Sequence, residues 1–516
     1  MGSSREELGP QGSLQQKITA IASRSEGVWS TVAFGVTATT EPILALLHRS
    51  AYSFEGLMRI VVIGGDSGSG SGADLVLEVG RCYVDSYLGS TLAVSLVPCA
   101  NPDVMGATEF GQHQISSSNV KYPPEGGYFN HPTDAWARYL WRWTIFQGPD
   151  LVLEIRNGPS VRWESNYAAE GFGESLGEIN IVRESNSLVA ALGSGNPDNV
   201  GRIPALRVTA PFGSIESEIG KLFRYLTGGN VMPSSIAREA LRSRRERDPI
   251  EVARILANSY GHTLSPVIYT QGMGISGRLR LWHLEGRQSN TVSEIVTMLE
   301  PIISSTDQLF EENAGTPSLA GLIWGDELSE ATGNNAYADL IISVAERYVP
   351  AEEGGAPLPS DPDFRTEDMF MNGAMLGRAF AITSNVTYLN TLTDFLVQSK
   401  VQQENGLFWH SRSVPYYWGR GNGFAAMGFA EALTYIPMDH PLRQRIVNMH
   451  RRHLESLSRK QCPSGMFPQV LDFPGSYEEL TATAMVGYAV ARGLRGGWLD
   501  SSFEDMLDGC WRGVSE

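Results

Sequence analysis

Cysteine is scarce in this chain: four in 516 residues, at Cys82, Cys99, Cys462 and Cys510, with no CxxC pair. That spacing leaves nothing from which to build a disulfide framework or a thiolate metal cluster, so the four read as reduced, structural thiols. Positive charge is short as well. Forty Lys and Arg stand against 57 Asp and Glu, giving a formal charge of −17. Without basic runs, neither nucleic acid nor an anionic membrane surface is an expected partner. No apolar run is long enough to span a bilayer, and Met1-Gly-Ser-Ser-Arg-Glu-Glu-Leu-Gly-Pro10 carries no apolar signal core, so a cytoplasmic setting is expected. Histidines are few and do not cluster. His262, His283, His440, His450 and His453 sit without ligand spacing and read as surface or satisfied core residues. No metal and no cofactor are expected on these grounds. An acidic ligand would need a local basic pocket set against the field of the whole chain. A homo-oligomer is compatible with all of this and required by none of it.

What is present is enough apolar residue, 42%, for sizeable cores, in a chain long enough for two or three domains. Residues 1–230 alternate strand-like and helix-like segments. Leu57–Ile63 is a buried-strand run that ends in a Gly/Ser loop, Gly64–Gly72, before a helix from about Ala73 to Tyr87. Further strands are expected at Thr91–Pro98, Leu151–Ile155 and Leu206–Thr209, with an aromatic helix at Trp136–Phe146. This is the pattern of an α/β domain with a mostly parallel sheet. The Gly/Ser loop lacks the Lys-Ser/Thr of a phosphate-binding loop, and such repeats are often plain flexible connections.

The composition shifts near Gly228–Ser235. From 235 to 516 about twelve helical segments follow, starting near Ser235, Pro249, Thr270, Thr291, Thr316, Asn335, Thr366, Val386, Gly421, Pro441, Tyr477 and Trp498. Short connections imply antiparallel neighbours. A dozen helices so joined suit a ring of hairpins, an (α/α)6 barrel, with its loops gathered at one mouth.

Three loops hold the unusual residues. The densest runs from His410 to Phe424, with two Arg, four aromatic rings and three Gly in fifteen residues. Tyr417 and Trp418 offer flat apolar faces, and Arg412 and Arg420 offer forked donors suited to a carboxylate. Rings plus an Arg fork suggest a sugar acid; a Gly-rich turn with packed aromatics is the plainer alternative. The second loop, Phe364-Arg-Thr-Glu-Asp-Met-Phe-Met371, enters a helix with Thr366 as its cap and Glu367 and Asp368 in the first turn. The third, Met466 to Thr483, enters another apolar helix.

Arg365-Thr-Glu-Asp-Met-Phe-Met371, Trp418-Gly-Arg-Gly-Asn-Gly-Phe424 and Ser476-Tyr-Glu-Glu-Leu-Thr-Ala-Thr-Ala-Met485 resemble the signature segments of glycoside hydrolase family 105. These are the unsaturated rhamnogalacturonyl hydrolases, relatives of the unsaturated glucuronyl hydrolases. Tyr269-Thr-Gln-Gly-Met-Gly274 and the Leu-x-x-Ala-Thr-Gly pattern at Leu328–Gly333 fit the family's earlier helices. The resemblance implies an (α/α)6 barrel over 235–516 and an acidic oligosaccharide substrate. The activity it implies is release of a 4,5-unsaturated uronic acid from the non-reducing end of pectin-derived fragments, with glucuronyl ends or simple sugar binding as alternatives. It assigns Asp368 as the catalytic acid, although a first-turn Asp can also serve only the helix dipole. A general acid needs its pKa raised, so a half-buried Asp368 among aromatic rings is expected.

His410, Tyr417, Trp418, Arg420, Asn422, Tyr477 and Glu479 are implied as substrate-binding. His410 reads equally as a loop His bonded to backbone, Asn422 as a cap, and Glu479 as an ordinary first-turn acid. The family's second Asp, ahead of the helix near Thr316, has no counterpart in Glu311-Glu-Asn-Ala-Gly-Thr-Pro317, so Glu312 or Asn313 substitutes or the substrate contacts differ. The first domain, through Gly64-Gly65, Pro98-Cys-Ala-Asn-Pro-Asp103 and Asp150-Leu-Val-Leu-Glu-Ile-Arg156, resembles a zinc carboxypeptidase-type α/β domain. Ser67, Gly70 and Arg156 stand near the places of its metal ligands, so a metal-free scaffold or binding module is expected there.

Overall fold

The computed structural model describes residues 13–64, 71–104, 120–126, 131, 134–172, 176–194, 200–229, 233–303, 310, 313–350 and 354–515. The chain divides into two compact units. One is Met1–Arg245 with Phe473–Tyr477, the other Glu246–Asp472 with Glu478–Ser515.

The first unit is built on an eight-stranded mixed sheet. Its strands are β1 Trp29–Val36, β2 Pro42–His48, β3 Met58–Ile63, β4 Leu92–Val97, β5 Leu151–Asn157, β6 Arg162–Ser165, β7 Ile179–Ile181 and β8 Ala205–Ala210. The order is β1-β2-β4-β3-β5-β8-β6-β7, with β4, β3, β5 and β8 mutually parallel at the centre. Those four are the strands expected from the apolar runs. Burial on both faces gives β3, β4 and β5 runs rich in Val, Ile and Leu, whereas β8 carries only Leu206 and Val208 of that kind. The antiparallel hairpin β1–β2 and the short β6 and β7 were not foreseen.

Helices α1 Leu14–Ser23, α2 Ser71–Ser86, α3 Ala135–Gln147, α4 Leu188–Gly193, α5 Ile215–Thr227 and α6 Ile236–Arg245 complete the unit. One face of the sheet packs on α1, α2 and α5, the other on the aromatic α3 together with α4 and α6. The boundary thus falls after Arg245, beyond the expected 230–235. The reason is Arg238 on α6. Its guanidinium pairs with buried Asp150 and also reaches the Leu57 carbonyl at 2.8 Å, while Ala237 and Leu241 join the core.

The second unit is helical. Its helices are α7 Pro249–Ser259, α8 Tyr269–Leu284, α9 Thr291–Ile303, α10 Thr316–Leu319, α11 Gly325–Thr332, α12 Ala336–Ala345, α13 Thr366–Thr383, α14 Val386–Gln398, α15 Gly419–Tyr435, α16 Arg443–Ser458, α17 Leu480–Gly496 and α18 Glu504–Ser515. A two-residue antiparallel ladder, β9 Phe467–Pro468 with β10 Glu478–Glu479, leads into α17. Helix α13 carries thirteen buried residues and α15 fourteen, so both run through the interior and show little of the one-sided pattern of a surface helix.

Glycine sets their spacing. A Cβ on Gly428 would sit 2.4 Å from the backbone of Met369, and one on Gly377 would sit 2.4 Å from the ring of Tyr435. Helices α13 and α15 therefore meet backbone to backbone.

Interior helices α8, α10–α11, α13, α15 and α17 point their N-termini to one end. Thr316 reaches Asp368 there, and Arg420 reaches Glu479. At the other end each contributes to a buried ionic network. Arg378 on α13 bonds Glu431 on α15 at 2.9 Å and Asp326 on α11 at 3.2 Å. Tyr488 on α17 donates to Glu431, and Arg280 on α8 reaches Glu327 at 2.6 Å and Tyr488 at 3.3 Å. Burial alone would raise the Glu431 carboxyl, but Arg378 and Arg280 hold it near 2.

Candidate functional site

The N-terminal end of these helices holds most of the residues singled out above. Helix α13 begins at Thr366, and its N-cap is Arg365, which makes no side-chain capping bond. The expected Thr366 cap is thus corrected by one residue. The chain turns into the helix at Phe364, whose φ of 57° is unusual for an aromatic residue. Two contacts hold it there: stacking on Phe395 at 5.3 Å, and the Arg412 guanidinium 3.8 Å over its ring. Arg412 donates to the carbonyls of Ser399, Gln398 and Gly354. It is therefore a brace for this turn and not a free fork for a ligand.

Asp368 follows one turn later and is 4% exposed. Its carboxylate accepts from the Thr316 hydroxyl and from the Asp361 backbone N–H, the latter at 2.8 Å. Burial raises its pKa to about 6. The two hydrogen bonds pull it down, and the charges of Glu367 and Asp361 push it further up. Asp368 is thus buried outright and not half-buried as expected. Tyr348, also buried, places its ring hydroxyl within electrostatic reach of Asp368 and has no hydrogen-bond partner for it among the described residues.

Beside Asp368, Glu367 meets His410 Nε2 at 3.1 Å. Burial would raise the Glu367 carboxyl, but the His410 bond and a backbone N–H outweigh it, and the group lies below its usual value. Two neighbouring carboxylates are thus driven apart, one toward a proton donor and one toward a fixed negative charge. His410 also sets its ring edge-on to Trp418 at 5.0 Å. The Arg420 guanidinium lies 4.6 Å over the same indole and pairs with Glu479 at 3.0 Å. Burial raises Glu479, with Arg420 opposing, and one of its carboxylate oxygens is buried without a hydrogen-bond partner among the described residues. The structure thus joins Asp368, Glu367, His410, Trp418, Arg420 and Glu479 through contacts between neighbours.

Three expected binding residues fall elsewhere. Asn422 is fully buried, because α15 starts at Gly419, two residues earlier than expected, and carries Asn422 inward. Its amide accepts the Phe408 N–H and donates to the Phe408 carbonyl, both at 2.9 Å, and it meets His453 at 3.0 Å. Asn422 is a brace. Tyr417 packs against the core formed by α16, α17 and α18. Tyr477 belongs to the first unit and packs on its aromatic core.

Thr316, Glu367, Tyr348 and Asp361 were not assigned to the site from sequence. Only the adjacency of Glu367 to Asp368 carried a local signal. Asn313 is exposed, and Glu312 lies outside the described residues, as do Ser67 and Gly70. At the end of β5, Arg156 pairs with Glu154 at 2.6 Å. A guanidinium ligates no metal, and among the described residues no group of three His, Cys, Asp or Glu could hold one. Among the same residues no helix is long and apolar enough to cross a membrane.

Residues 256–516 match the family model described as Glycosyl Hydrolase Family 88. The chain is 42% identical over 74 residues to the "Unsaturated rhamnogalacturonyl hydrolase YesR" of Bacillus subtilis, covering 14% of this chain and 22% of that protein. It is 27% identical over 105 residues to an "Unsaturated 3S-rhamnoglycuronyl hydrolase" of an Alteromonas strain, covering 20% of this chain and 25% of that one. The matches thus span about a quarter of these curated relatives. Among solved structures, a family 105 glycoside hydrolase of C. acetobutylicum aligns over 52% of this chain and 82% of its own, at 16% identity and a TM-score of 0.47. A putative metallopeptidase of Shewanella amazonensis aligns over 42% of this chain and 92% of its own, at 12% identity and a TM-score of 0.32.

Proposed function

The chain belongs to glycosyl hydrolase family 88, and on that premise we propose that it releases 4,5-unsaturated uronic acids from the non-reducing ends of pectin-derived oligosaccharides. One observation carries the proposal: Asp368, buried and raised to about 6, stands beside a Glu367 held ionised by His410. The helical unit is read as an (α/α)6-type ring, a reading supported by the hairpin order of α7–α18 and by the shared direction of the interior helices.

The substrate carries a C4=C5 double bond next to the ring oxygen. Protonated Asp368 donates to C4, and positive charge develops at C5, shared with the ring oxygen. The fixed negative charge of Glu367 favours that cation. Water adds at C5 and returns a proton to Asp368, and the resulting hemiketal opens and frees the next sugar. One carboxyl serves as donor and then as base, so no second carboxylate at displacement distance is needed. The guanidinium of Arg420, 40% exposed on its side chain, takes the uronate, and Trp418 walls the ring.

The test is the ultraviolet absorbance of the enol ether, followed on unsaturated rhamnogalacturonan and glucuronan disaccharides with wild type and Asp368→Asn. Decay with wild type and none with the variant supports the proposal. No decay on either substrate refutes it.

A further inference from the structure

The far end of the interior helices carries a feature that this chemistry does not use. A cavity of about 770 Å³ opens among the C-terminal turns of α8, α11, α15 and α17. Its lining includes Arg280, Arg287, Arg492 and Arg495, with rings from Trp282 and Tyr488. Glu327 pairs Arg280 at 2.6 Å and Glu330 pairs Arg287 at 3.3 Å. Arg492 instead bonds the Thr434 hydroxyl at 2.8 Å, with its guanidinium 5.8 Å over the Tyr488 ring. Arg495 has no carboxylate partner among the described residues.

A second cavity of about 470 Å³ adjoins the first. The two share Arg492, Arg495, Thr434 and Tyr435, and the second adds the ring of Trp498. The Arg pair therefore stands on the ridge between two aromatic-walled hollows. Arg in the last turn of a helix would suit the helix dipole by itself. The dipole does not account for two cavities flanked by rings on both sides of two guanidiniums that, among the described residues, have no carboxylate within ion-pair distance, although the charge of Arg492 also acts on Glu431. Forked donors between flat apolar faces are the groups that hold a carboxylated sugar, through the carboxylate and the C–H face of the ring.

The interval itself has a structural origin. Helices α8 and α17 meet across it through long side chains such as Arg280 and Tyr488, 3.3 Å apart. The small Ala491, exposed on α17, lines the cavity.

We propose that this double cavity is a second, non-catalytic binding site for acidic oligosaccharides, at the opposite end of α8, α15 and α17 from Asp368. The proposal rests on the reading of the helical unit as a handler of sugar acids. It requires only binding there, so it can be separated from turnover. The sixteen-residue α8 puts the two ends about 24 Å apart. One chain would then hold a polymer fragment at the far end while its mouth works on a free terminus.

The test is calorimetric titration of the full chain with saturated trigalacturonate, which has no double bond to hydrate. Two sites are expected. Arg492→Ala with Arg495→Ala should weaken one of them about tenfold or more, and Arg420→Ala should weaken the other. Ala491→Trp fills the cavity without removing a charge and should also abolish the far site, which guards against misfolding of the double variant. Unsaturated-disaccharide decay should be unchanged in Ala491→Trp. No site in wild type, or sites that both far-end variants leave untouched, would overturn the proposal. So would equal binding of a neutral trisaccharide, equal competition by inorganic phosphate, or a dimer whose second copy occupies the cavity. Loss of substrate decay in wild type refutes the hydrolase reading and leaves the two-site titration as the measure of this one.

Discussion

Replacing Asp368 by Asn should remove activity and make the protein more stable, increasingly so as pH rises. The carboxyl titrates near 3.8 when unfolded and near 6 when folded. Between those values the folded chain binds more protons than the unfolded one, so stability falls as pH rises and levels off above about 6. At pH 5 the ionisation penalty comes to about 1.6 kcal/mol, and at pH 8 to about 3 kcal/mol. Asn carries no charge and so escapes the penalty. It also keeps the local bonds: its carbonyl accepts the Asp361 N–H, and its amide donates to the Thr316 hydroxyl, which rotates to accept. The advantage of Asp368→Asn should therefore widen by about 1.4 kcal/mol from pH 5 to pH 8. For a unit of this size, that is a few degrees in the melting transition. Thermal melts of both proteins at the two pH values test it. A variant less stable than wild type at pH 8, or an advantage that does not change with pH, would refute the assignment of a buried, raised Asp368.

Three more outcomes are expected. The rate on an unsaturated disaccharide should fall about tenfold per pH unit above roughly pH 6, as the donor ionises; Glu367→Gln removes a charge that raises Asp368, so this limb should move to lower pH, and a shift upward would contradict the electrostatics. Asn422→Ala leaves the Phe408 N–H and carbonyl unpaired in the interior and should cost about 2–4 kcal/mol in urea unfolding, with KM unchanged in the folded fraction if Asn422 is a brace and not a substrate contact. Arg378→Met removes the ion-pair partner of buried Glu431, leaving it the Tyr488 hydroxyl and the charge of Arg280, and should cost about 3–5 kcal/mol in the same assay.

Much of the helical unit was legible because its boundaries are written in local chemistry. Pro249, Thr291, Thr316, Thr366 and Val386 begin helices where the sequence places them. Helix α11 was foreseen only at its end, Leu328–Gly333, and not given a start of its own at Gly325. Gly-Asp-Glu-Leu-Ser-Glu-Ala-Thr is short and polar, and its burial comes from neighbours no window contains. Strand β2, Pro-Ile-Leu-Ala-Leu-Leu-His, has a single β-branched residue and could equally be a piece of helix until β1 and β4 flank it. At the site, Asp368, His410, Trp418 and Arg420 stood out by type and by the company they kept. Thr316 lies 52 positions from Asp368 and Tyr348 twenty, and neither carries chemistry that a sequence advertises. Asn422 misled because Asn amid glycines looks like a loop reaching for a ligand. Two residues of extra helix turned it inward.

The glycine seam between α13 and α15 has a reach beyond packing. Asp368 begins one of these helices and Arg420 the other, so the span from the proposed proton donor to the proposed carboxylate fork is gauged where Gly428 meets Met369. Positions with no functional group thereby act as a spacer for the reaction. On the proposed reading, substitutions that graze the seam would detune turnover while leaving every reactive atom in place, and a survey of chemically capable residues alone would never find them.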